Sequence, residues 1–246
     1  MRDLPPDWII PDWPVPARVK ALVTTRNGGV STAPYASLNL GLRVNDEPAK
    51  VERNRALLRT HLPAEPRWLN QVHGNLVVDA GSVRQPVEAD AATSRTPDTV
   101  CAIMVADCLP VLLADRAGKV VGAAHAGWHG LAAGVIENTV KSMAVPPSEL
   151  VAWLGPAIGP SAFEVGADVR EAFVSTDPGA ASAFIDQKPG KWLADLFTLA
   201  RRRLQAVGIA DIHGGGLCTV SDPRRFFSHR RDKVTGRMAA LIWISA

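Results

Sequence analysis

The sequence predicts an α+β protein in which helices pack on mixed sheets within one domain. Short apolar segments bounded by turn residues are mixed with amphipathic stretches, without the regular strand-helix alternation of a doubly wound fold. The chain has 246 residues, 47% of them hydrophobic and 21% charged, which is enough to bury a sizeable core. No repeat or low-complexity tract divides it. We therefore predict a single domain over residues 19–246, preceded by an extended, proline-rich arm over residues 1–18.

The first part of the domain is predicted to contain a strand, a long loop and a helix. Val19–Thr25 is apolar and β-branched, as in a strand, whereas Arg26–Asn45 is rich in turn residues. Asn45 or Asp46 can cap a helix that carries Pro48 in its first turn. The core side of this helix is predicted to consist of Val51, Leu57, Leu58 and Leu62.

The remaining elements follow from apolar runs and helical periodicity. Two helices are predicted, one over Leu131–Met143 and one from Leu193 to Val207 that ends at Gly208. In the first, Leu131, Val135, Thr139 and Met143 recur every four residues and form one stripe. Further strands are predicted at Leu76–Asp79, Val100–Val105, Pro110–Leu113, Lys119–Ala124, Leu150–Leu154 and Ala239–Ile244.

Charge and apolar patterning exclude several classes of partner. The 27 basic and 24 acidic residues give a net charge of only +3, which does not favour general binding to nucleic acid. The segment Arg224–Asp232 combines arginines with Phe226 and Phe227, as nucleic-acid surfaces do, but acidic residues bracket it. The first residues lack the basic-then-apolar order of a signal peptide, and no run resembles a membrane span. We expect a cytoplasmic protein that binds neither nucleic acid nor membrane.

Three segments carry side chains that suit chemistry, where a purely structural position would be apolar. They are Gln71-Val72-His73-Gly74, Ala106-Asp107-Cys108-Leu109-Pro110 and Ala124-His125-Ala126-Gly127-Trp128-His129-Gly130. Two imidazoles and a thiolate suit Zn²⁺, and three protein ligands would leave a fourth position open, as in catalytic sites. The same residues also permit a cysteine nucleophile at Cys108 with His125 or His73 as its base. A third alternative is that they are structural core residues. The spacing, which matches no local zinc motif, leaves these alternatives open.

Two further segments suit an anion. Arg26 precedes Gly28-Gly29, where a guanidinium and flexible backbone amides together can hold phosphate. Arg230 lies in the arginine-rich segment, and Arg237 follows Gly236 before the last strand. The other two cysteines, Cys101 and Cys218, are predicted to be structural.

Seven segments taken together resemble the laccase-domain family, which is multicopper-polyphenol-oxidase-like. Its members are also described as purine nucleoside phosphorylases and include the bacterial peptidoglycan editing factor. The resemblance extends from about residue 20 to the end and is ordered along the chain. It is carried by Thr25–Ser31, Ser37–Gly41, Asn70–Gly74, Ala106–Pro110, His125–Trp128, Gly155–Gly159 and Ser228–Asp232 with Gly236-Arg237.

The resemblance implies an α-β-β-α layered fold, similar to that of cysteine hydrolases, and a catalytic zinc site formed by His73, Cys108 and His125. It also implies phosphorolysis of adenosine, inosine, guanosine or methylthioadenosine, and deamination of adenosine. Positions expected to bind substrate and phosphate are Arg26, Asn39, Gln71, Asp107, Arg230 and Arg237. The sequence departs from the family at His129, where relatives commonly have arginine.

Three other functions stay open from the sequence. The bacterial members imply an amidase that removes wrongly incorporated serine from a UDP-linked muramyl precursor. A copper polyphenol oxidase is less favoured, because one cysteine and two histidines cannot build the several copper centres of four-electron oxygen reduction. In a non-catalytic binding protein, a fourth protein ligand would close the metal site.

Overall fold

Mixed sheets with helices on their outer faces make up the structure, a computed structural model in which residues 4–246 are described. The strands of these residues are β1 Val19–Val23, β2 Val77–Asp79, β3 Ala91–Ser94, β4 Cys101–Val105, β5 Leu109–Asp115, β6 Val121–Ala126, β7 Leu150–Leu154, β8 Glu164–Val165, β9 Phe184–Lys188, β10 Lys191–Ala194, β11 Asp211–Gly214 and β12 Met238–Ile244. The helices are α1 Pro48–Arg59, α2 Trp128–Ala132, α3 Val135–Met143, α4 Ala167–Val174, α5 Leu196–Ala206 and α6 His229–Asp232, with short 3-10 turns at Pro147–Glu149 and Pro178–Ala183.

Three sheets organise these strands. The largest has the order β11-β7-β5-β6-β3-β2, and it is mixed, since β11 pairs parallel with β7 and β2 parallel with β3. The second has the antiparallel order β1-β12-β4, and the third is a small sheet of order β8-β10-β9. The pairing of β5 with β6 sets Pro110 opposite His125, which determines the position of the candidate site.

Alternating side chains divide the core into layers. In β5, Leu109, Val111 and Leu113 face the cluster that includes α3 and α5, whereas Leu112 and Ala114 face the three-stranded sheet. In β12, the residues Met238, Ala240, Ile242 and Ile244 face the six-stranded sheet, and Ala239, Leu241 and Trp243 face the cluster that includes α1. The layer order is therefore helix, sheet, sheet, helix, and the predicted α+β fold with mixed sheets is confirmed.

The predicted helix over Leu131–Met143 is wrong in one respect, because two helices occupy this region. Gly134 lies between α2 and α3 with a φ of +89°, a left-handed conformation that glycine adopts without steric cost and that breaks the helical hydrogen bonding. The predicted apolar stripe is nevertheless buried, from Leu131 through Met143. The four-residue period therefore predicts the buried face correctly, but it does not reveal the interruption at Gly134.

Two other helix starts differ from the prediction. Leu193 lies in β10 rather than in a helix, because the carboxylate of Asp195 accepts hydrogen bonds from the backbone N–H groups of Phe197 and Thr198 and caps α5 there. Neither Asn45 nor Asp46 caps α1, whose N-cap residue is Glu47. Leu57 of α1 is 39% exposed and is not part of the core side.

The predicted arm over residues 1–18 begins outside the described residues, since residues 1–3 are not among them. Within its described part, Ile9 pairs with Val23 through two backbone hydrogen bonds of 2.9 and 2.8 Å, and Trp8 is buried. The arm therefore extends the edge of the three-stranded sheet at this point. No helix within residues 4–246 is both long enough and apolar enough to span a membrane.

Candidate metal centre and its cavity

Three chain segments bring His73, Cys108 and His125 together. One potential ligand atom from each side chain lies within 4.8 Å of the other two, and the two imidazole rings meet edge to face with centroids 4.8 Å apart. Within residues 4–246, no fourth histidine, cysteine, aspartate or glutamate joins this group. Two imidazoles and one thiol suit a zinc ion, and three protein ligands leave one position for another ligand.

The β-sheet register positions two of these side chains. His125 lies near the end of β6, and Cys108 directly precedes β5, its antiparallel neighbour. In the turn before Cys108, Asp107 is left-handed, with a φ of +93°, and its carbonyl oxygen accepts a hydrogen bond of 2.9 Å from the backbone N–H of Ile158. The thiol and the imidazole therefore lie together at one end of β5 and β6, the two central strands of the six-stranded sheet.

A buried carboxylate holds the third segment, which carries His73. Asp90, the residue before β3, accepts hydrogen bonds from the successive backbone N–H groups of Val72, His73 and Gly74 at 3.2, 2.9 and 2.7 Å. The backbone of His73 is left-handed, with a φ of +61°. Asp90 also contacts Nδ1 of His125 at 2.8 Å, so Nε2 is the free nitrogen of that ring. Asp90 is not among the residues predicted from the sequence, because no motif marks it.

The charges of the centre stabilise one another. Burial by itself raises the pKa of Cys108, but the positive charge of His125 and hydrogen bonds from His125 and His73 outweigh it and lower this pKa. Conversely, burial tends to lower the pKa of His125, but the charge of Cys108 and the hydrogen bond to Asp90 raise it. Without a metal, the centre therefore favours a thiolate next to an imidazolium. A thiolate is the form that either binds a metal or attacks as a nucleophile.

A basic cavity of about 750 Å³ opens onto the centre. Its walls include apolar residues, among them Met104, Trp128 and Phe163. Besides His73 and His125, the basic side chains of its lining are Arg43, His129, His229, Arg230, Lys233 and Arg237. Asp107 also lines it, but its carboxylate already accepts hydrogen bonds from Thr219 Oγ1 at 2.5 Å and from the backbone N–H of Arg230 at 2.6 Å. The cavity therefore suits a ligand that combines an apolar ring with an anionic group.

Four of the residues predicted to bind substrate line this cavity, namely Gln71, Asp107, Arg230 and Arg237. The guanidinium of Arg230 lies over the ring of Phe163 at 5.4 Å and donates to the carbonyl of Glu164. The guanidinium of Arg237 donates through one nitrogen to the carbonyls of Thr235 and Gly236, each at 3.0 Å. Because a guanidinium has five N–H donors, both arginines retain donors for an anion.

Gln71 has its amide group occupied. Its Oε1 accepts from the backbone N–H of Met104 at 2.7 Å, and its Nε2 donates to the carbonyl of Met104 at 2.8 Å. This pair of bonds ties the segment that carries His73 to β4. The side chain therefore anchors the site as well as lining it.

Two predicted residues, Arg26 and Asn39, do not line the cavity. The guanidinium of Arg26 donates to the carbonyls of Ala36 and Pro223 at 2.9 and 3.0 Å, which are scaffold contacts between two loops. Asn39 is fully buried, and its Oδ1 accepts from the backbone N–H of Arg237 at 2.9 Å. Asn39 therefore contributes to the cavity through the backbone position of Arg237.

Arg43 and Lys233 are cavity residues that the sequence analysis missed. Among the described residues, neither side chain forms an ion pair or a hydrogen bond with another protein group. Their positive charges are thus available to a ligand.

Phe226 and Phe227, which suggested base stacking in the sequence, are fully buried and cannot serve as a stacking surface.

An α+β domain with a two-histidine, one-cysteine centre in a basic cavity indicates a class of enzymes that act on small molecules. The chain belongs to the family described as multi-copper polyphenol oxidoreductase laccase, whose model matches residues 20–245. A protein of Pseudomonas aeruginosa named purine nucleoside phosphorylase is 57% identical over 238 residues, covering 96% of this chain and 98% of that protein. The Escherichia coli purine nucleoside phosphorylase YfiH is 55% identical over 239 residues, with the same coverage.

Solved structures show the same fold. The crystal structure of the Neisseria meningitidis protein NMB0706 matches with a TM-score of 0.95 and 51% identity, covering 98% of this chain and 100% of that one. The structure of YlmD from Geobacillus stearothermophilus matches with a TM-score of 0.87 and 33% identity, covering 94% and 93% of the two chains. The family resemblance predicted from the sequence is therefore confirmed.

Proposed function

We propose that this protein is a zinc-dependent enzyme that cleaves purine nucleosides with inorganic phosphate and also deaminates adenosine. The expected nucleosides are adenosine, inosine, guanosine and methylthioadenosine. The observation that carries the proposal is the convergence of His73, Cys108 and His125 at the wall of a basic cavity. The names of the relatives support phosphorolysis of purine nucleosides.

The donor set fits zinc better than copper oxidase chemistry. Borderline-soft Zn²⁺ accepts imidazole and thiolate together, and three protein ligands are typical of catalytic zinc sites. Among the described residues there is one such group, whereas a multicopper oxidase needs several centres. A zinc ion held by these residues would supply a Lewis acid and an activated water at neutral pH.

The surrounding side chains have distinct parts in the proposed phosphorolysis, in which the bond between the purine and C1′ of the ribose breaks and a bond from phosphate to C1′ forms. Arg230 and Arg237 hold the phosphate through their remaining N–H donors. The half-buried ring of Trp128 supplies apolar surface for the purine base. Asp107 keeps the backbone of Arg230 in place through its 2.6 Å hydrogen bond.

The proposal is tested by product analysis on protein whose zinc content has been measured. With phosphate, adenosine should yield adenine and ribose 1-phosphate, and without phosphate it should yield inosine and ammonia. Protein that contains one zinc per chain but forms none of these products would contradict the proposal. Formation of adenine alone would support phosphorolysis and contradict deamination.

Arg237→Gln is expected to raise the KM for phosphate by about 10- to 100-fold, since a hydrogen bond to a charged group contributes about 1.5–3 kcal/mol. The KM for phosphate should be measured at saturating nucleoside. Arg26→Gln is the matched control, because Arg26 also donates to backbone carbonyls but lies outside the cavity. An equal rise in KM for both variants would show that the loss is not specific to the cavity.

A second candidate function is the amidase reaction on a UDP-linked muramyl precursor, with release of serine. The free cations of Arg43 and Lys233 favour it, because they suit a second anionic group such as a diphosphate. Incubation of this precursor with the enzyme should then release free serine. Absence of serine alongside turnover of adenosine would eliminate this candidate.

A further inference from the structure

We infer that Asp90 is the positioning residue of the metal centre, because this one carboxylate orients His125 and fixes the loop that carries His73. The inference rests on the proposed metal site and adds to it a residue outside the three ligands. It is carried by the hydrogen-bond geometry of a fully buried side chain.

Both oxygens of Asp90 are fully used by protein donors. Oδ1 accepts from the backbone N–H of His73 at 2.9 Å and contacts Nδ1 of His125 at 2.8 Å. Oδ2 accepts from the backbone N–H groups of Val72 and Gly74 at 3.2 and 2.7 Å. The backbone adds one more hydrogen bond, in which the carbonyl of Asp90 accepts from the backbone N–H of His125 at 2.7 Å. A single residue thus joins two of the three ligand segments.

The contact with His125 selects one imidazole tautomer. An ionised carboxylate only accepts hydrogen bonds, so the Nδ1 that faces Asp90 must carry a proton. In the neutral ring, the lone pair is then on Nε2, the nitrogen that remains free for a metal. Asp90 thereby determines which nitrogen of His125 can bind the ion.

The contacts with the loop hold a backbone conformation that would otherwise relax. His73 has a left-handed φ of +61°, which is unfavourable for a residue with a side chain. Because the residue is exposed, burial does not hold this backbone conformation, although the imidazole itself meets that of His125 edge to face. Three successive N–H groups that converge on one carboxylate supply the missing constraint.

Asp90→Asn is the discriminating variant, because asparagine has one accepting oxygen and one donating NH2 group. In either orientation of the amide, the NH2 group faces two of the four donors, so the loop always loses an acceptor, and in one orientation His125 loses its acceptor as well. We expect the affinity for zinc, measured by competition with a chelator, to fall by about 10- to 100-fold.

Asp115→Asn is the matched control. Asp115 is also buried, and its Oδ1 accepts from the backbone N–H groups of Lys119 and Val120 at 2.6 and 2.8 Å, in a turn that does not contribute to the centre. Both variants should have a lower Tm, but only Asp90→Asn should lose zinc affinity. Unchanged zinc affinity in Asp90→Asn, or an equal loss in both variants, would overturn the inference. Wild-type protein that does not bind zinc would overturn the proposed function as well.

A measurement on the wild-type protein covers the case in which Asp90→Asn does not fold. In zinc-loaded protein labelled with ¹⁵N-histidine, NMR should show a proton on Nδ1 of His125 and a metal-bound Nε2. The signal is assigned by through-bond correlation with the backbone resonances of His125. Binding of zinc through Nδ1 of His125 would overturn the inference.

Discussion

Cys108→Ser is expected to remove stoichiometric zinc and to lower kcat/KM for phosphorolysis by more than about 100-fold. Cys108 supplies the one thiol of the three-ligand group. A serine hydroxyl is not ionised at neutral pH, so it does not replace a thiolate ligand. Because the loss of groups that only support a ligand already reduces metal affinity or activity by about 10- to 100-fold, the loss of a ligand should exceed that range. The measurements are elemental analysis of purified protein and kcat/KM for adenosine with phosphate.

Cys218→Ser serves as the control for this substitution. Cys218 lies outside the cavity lining, and its sulfur accepts hydrogen bonds from the backbone N–H of Gly159 and from Ser221 Oγ, both at 3.2 Å. This variant should retain zinc and activity. If Cys108→Ser retains a full complement of zinc but loses turnover, Cys108 acts as a nucleophile and the three-ligand proposal is wrong.

The buried strands were predictable from local signals, whereas the α-β-β-α layer order was expected only from the family resemblance. Buried strands such as β7 and β12 are apolar runs, and the prediction for Leu150–Leu154 matches β7 at both ends. Five strands were not predicted, namely β3, β11 and the three strands β8, β9 and β10, which are short and largely polar on their exposed faces. Such strands form through pairing with each other, which local periodicity does not reveal.

The candidate site was only partly predictable. Residue type marks His73, Cys108 and His125 as suitable for a metal, and the structure brings them together. Asp90 is separated from His73 by 17 positions and from His125 by 35, so its role depends on tertiary structure alone. For Arg26, the sequence predicted a role in the site that the residue does not have. Its position before two glycines suggested an anion site, but its guanidinium joins two loops.

Gly127→Ala is expected to lower both zinc affinity and kcat/KM by about 100-fold. A Cβ atom at this position would lie 2.8 Å from Sγ of Cys108 and 3.4 Å from Cδ2 of His73. The first distance is too short for a stable contact, so the methyl group must displace the thiol or the start of α2. A shift of about 1 Å in a reacting group is enough to reduce a rate by about 100-fold. Gly127 has a φ of −62°, which alanine adopts readily, so the effect arises at the centre and not from backbone strain.

Gly74→Ala separates this steric effect from a general intolerance of larger residues in the site. A Cβ atom at Gly74 would lie 3.5 Å from Oδ2 of Asp90 and 3.6 Å from Cγ2 of Val72, both ordinary van der Waals distances. The variant should therefore keep its zinc affinity and most of its activity. Both substitutions add one methyl group close to the centre. Any difference in zinc affinity between the two variants therefore reflects the atoms that this methyl group contacts. If Gly127→Ala binds zinc as tightly as Gly74→Ala and the wild-type protein do, the sulfur of Cys108 has room to move. The close approach of Gly127 to this sulfur would then have no functional consequence.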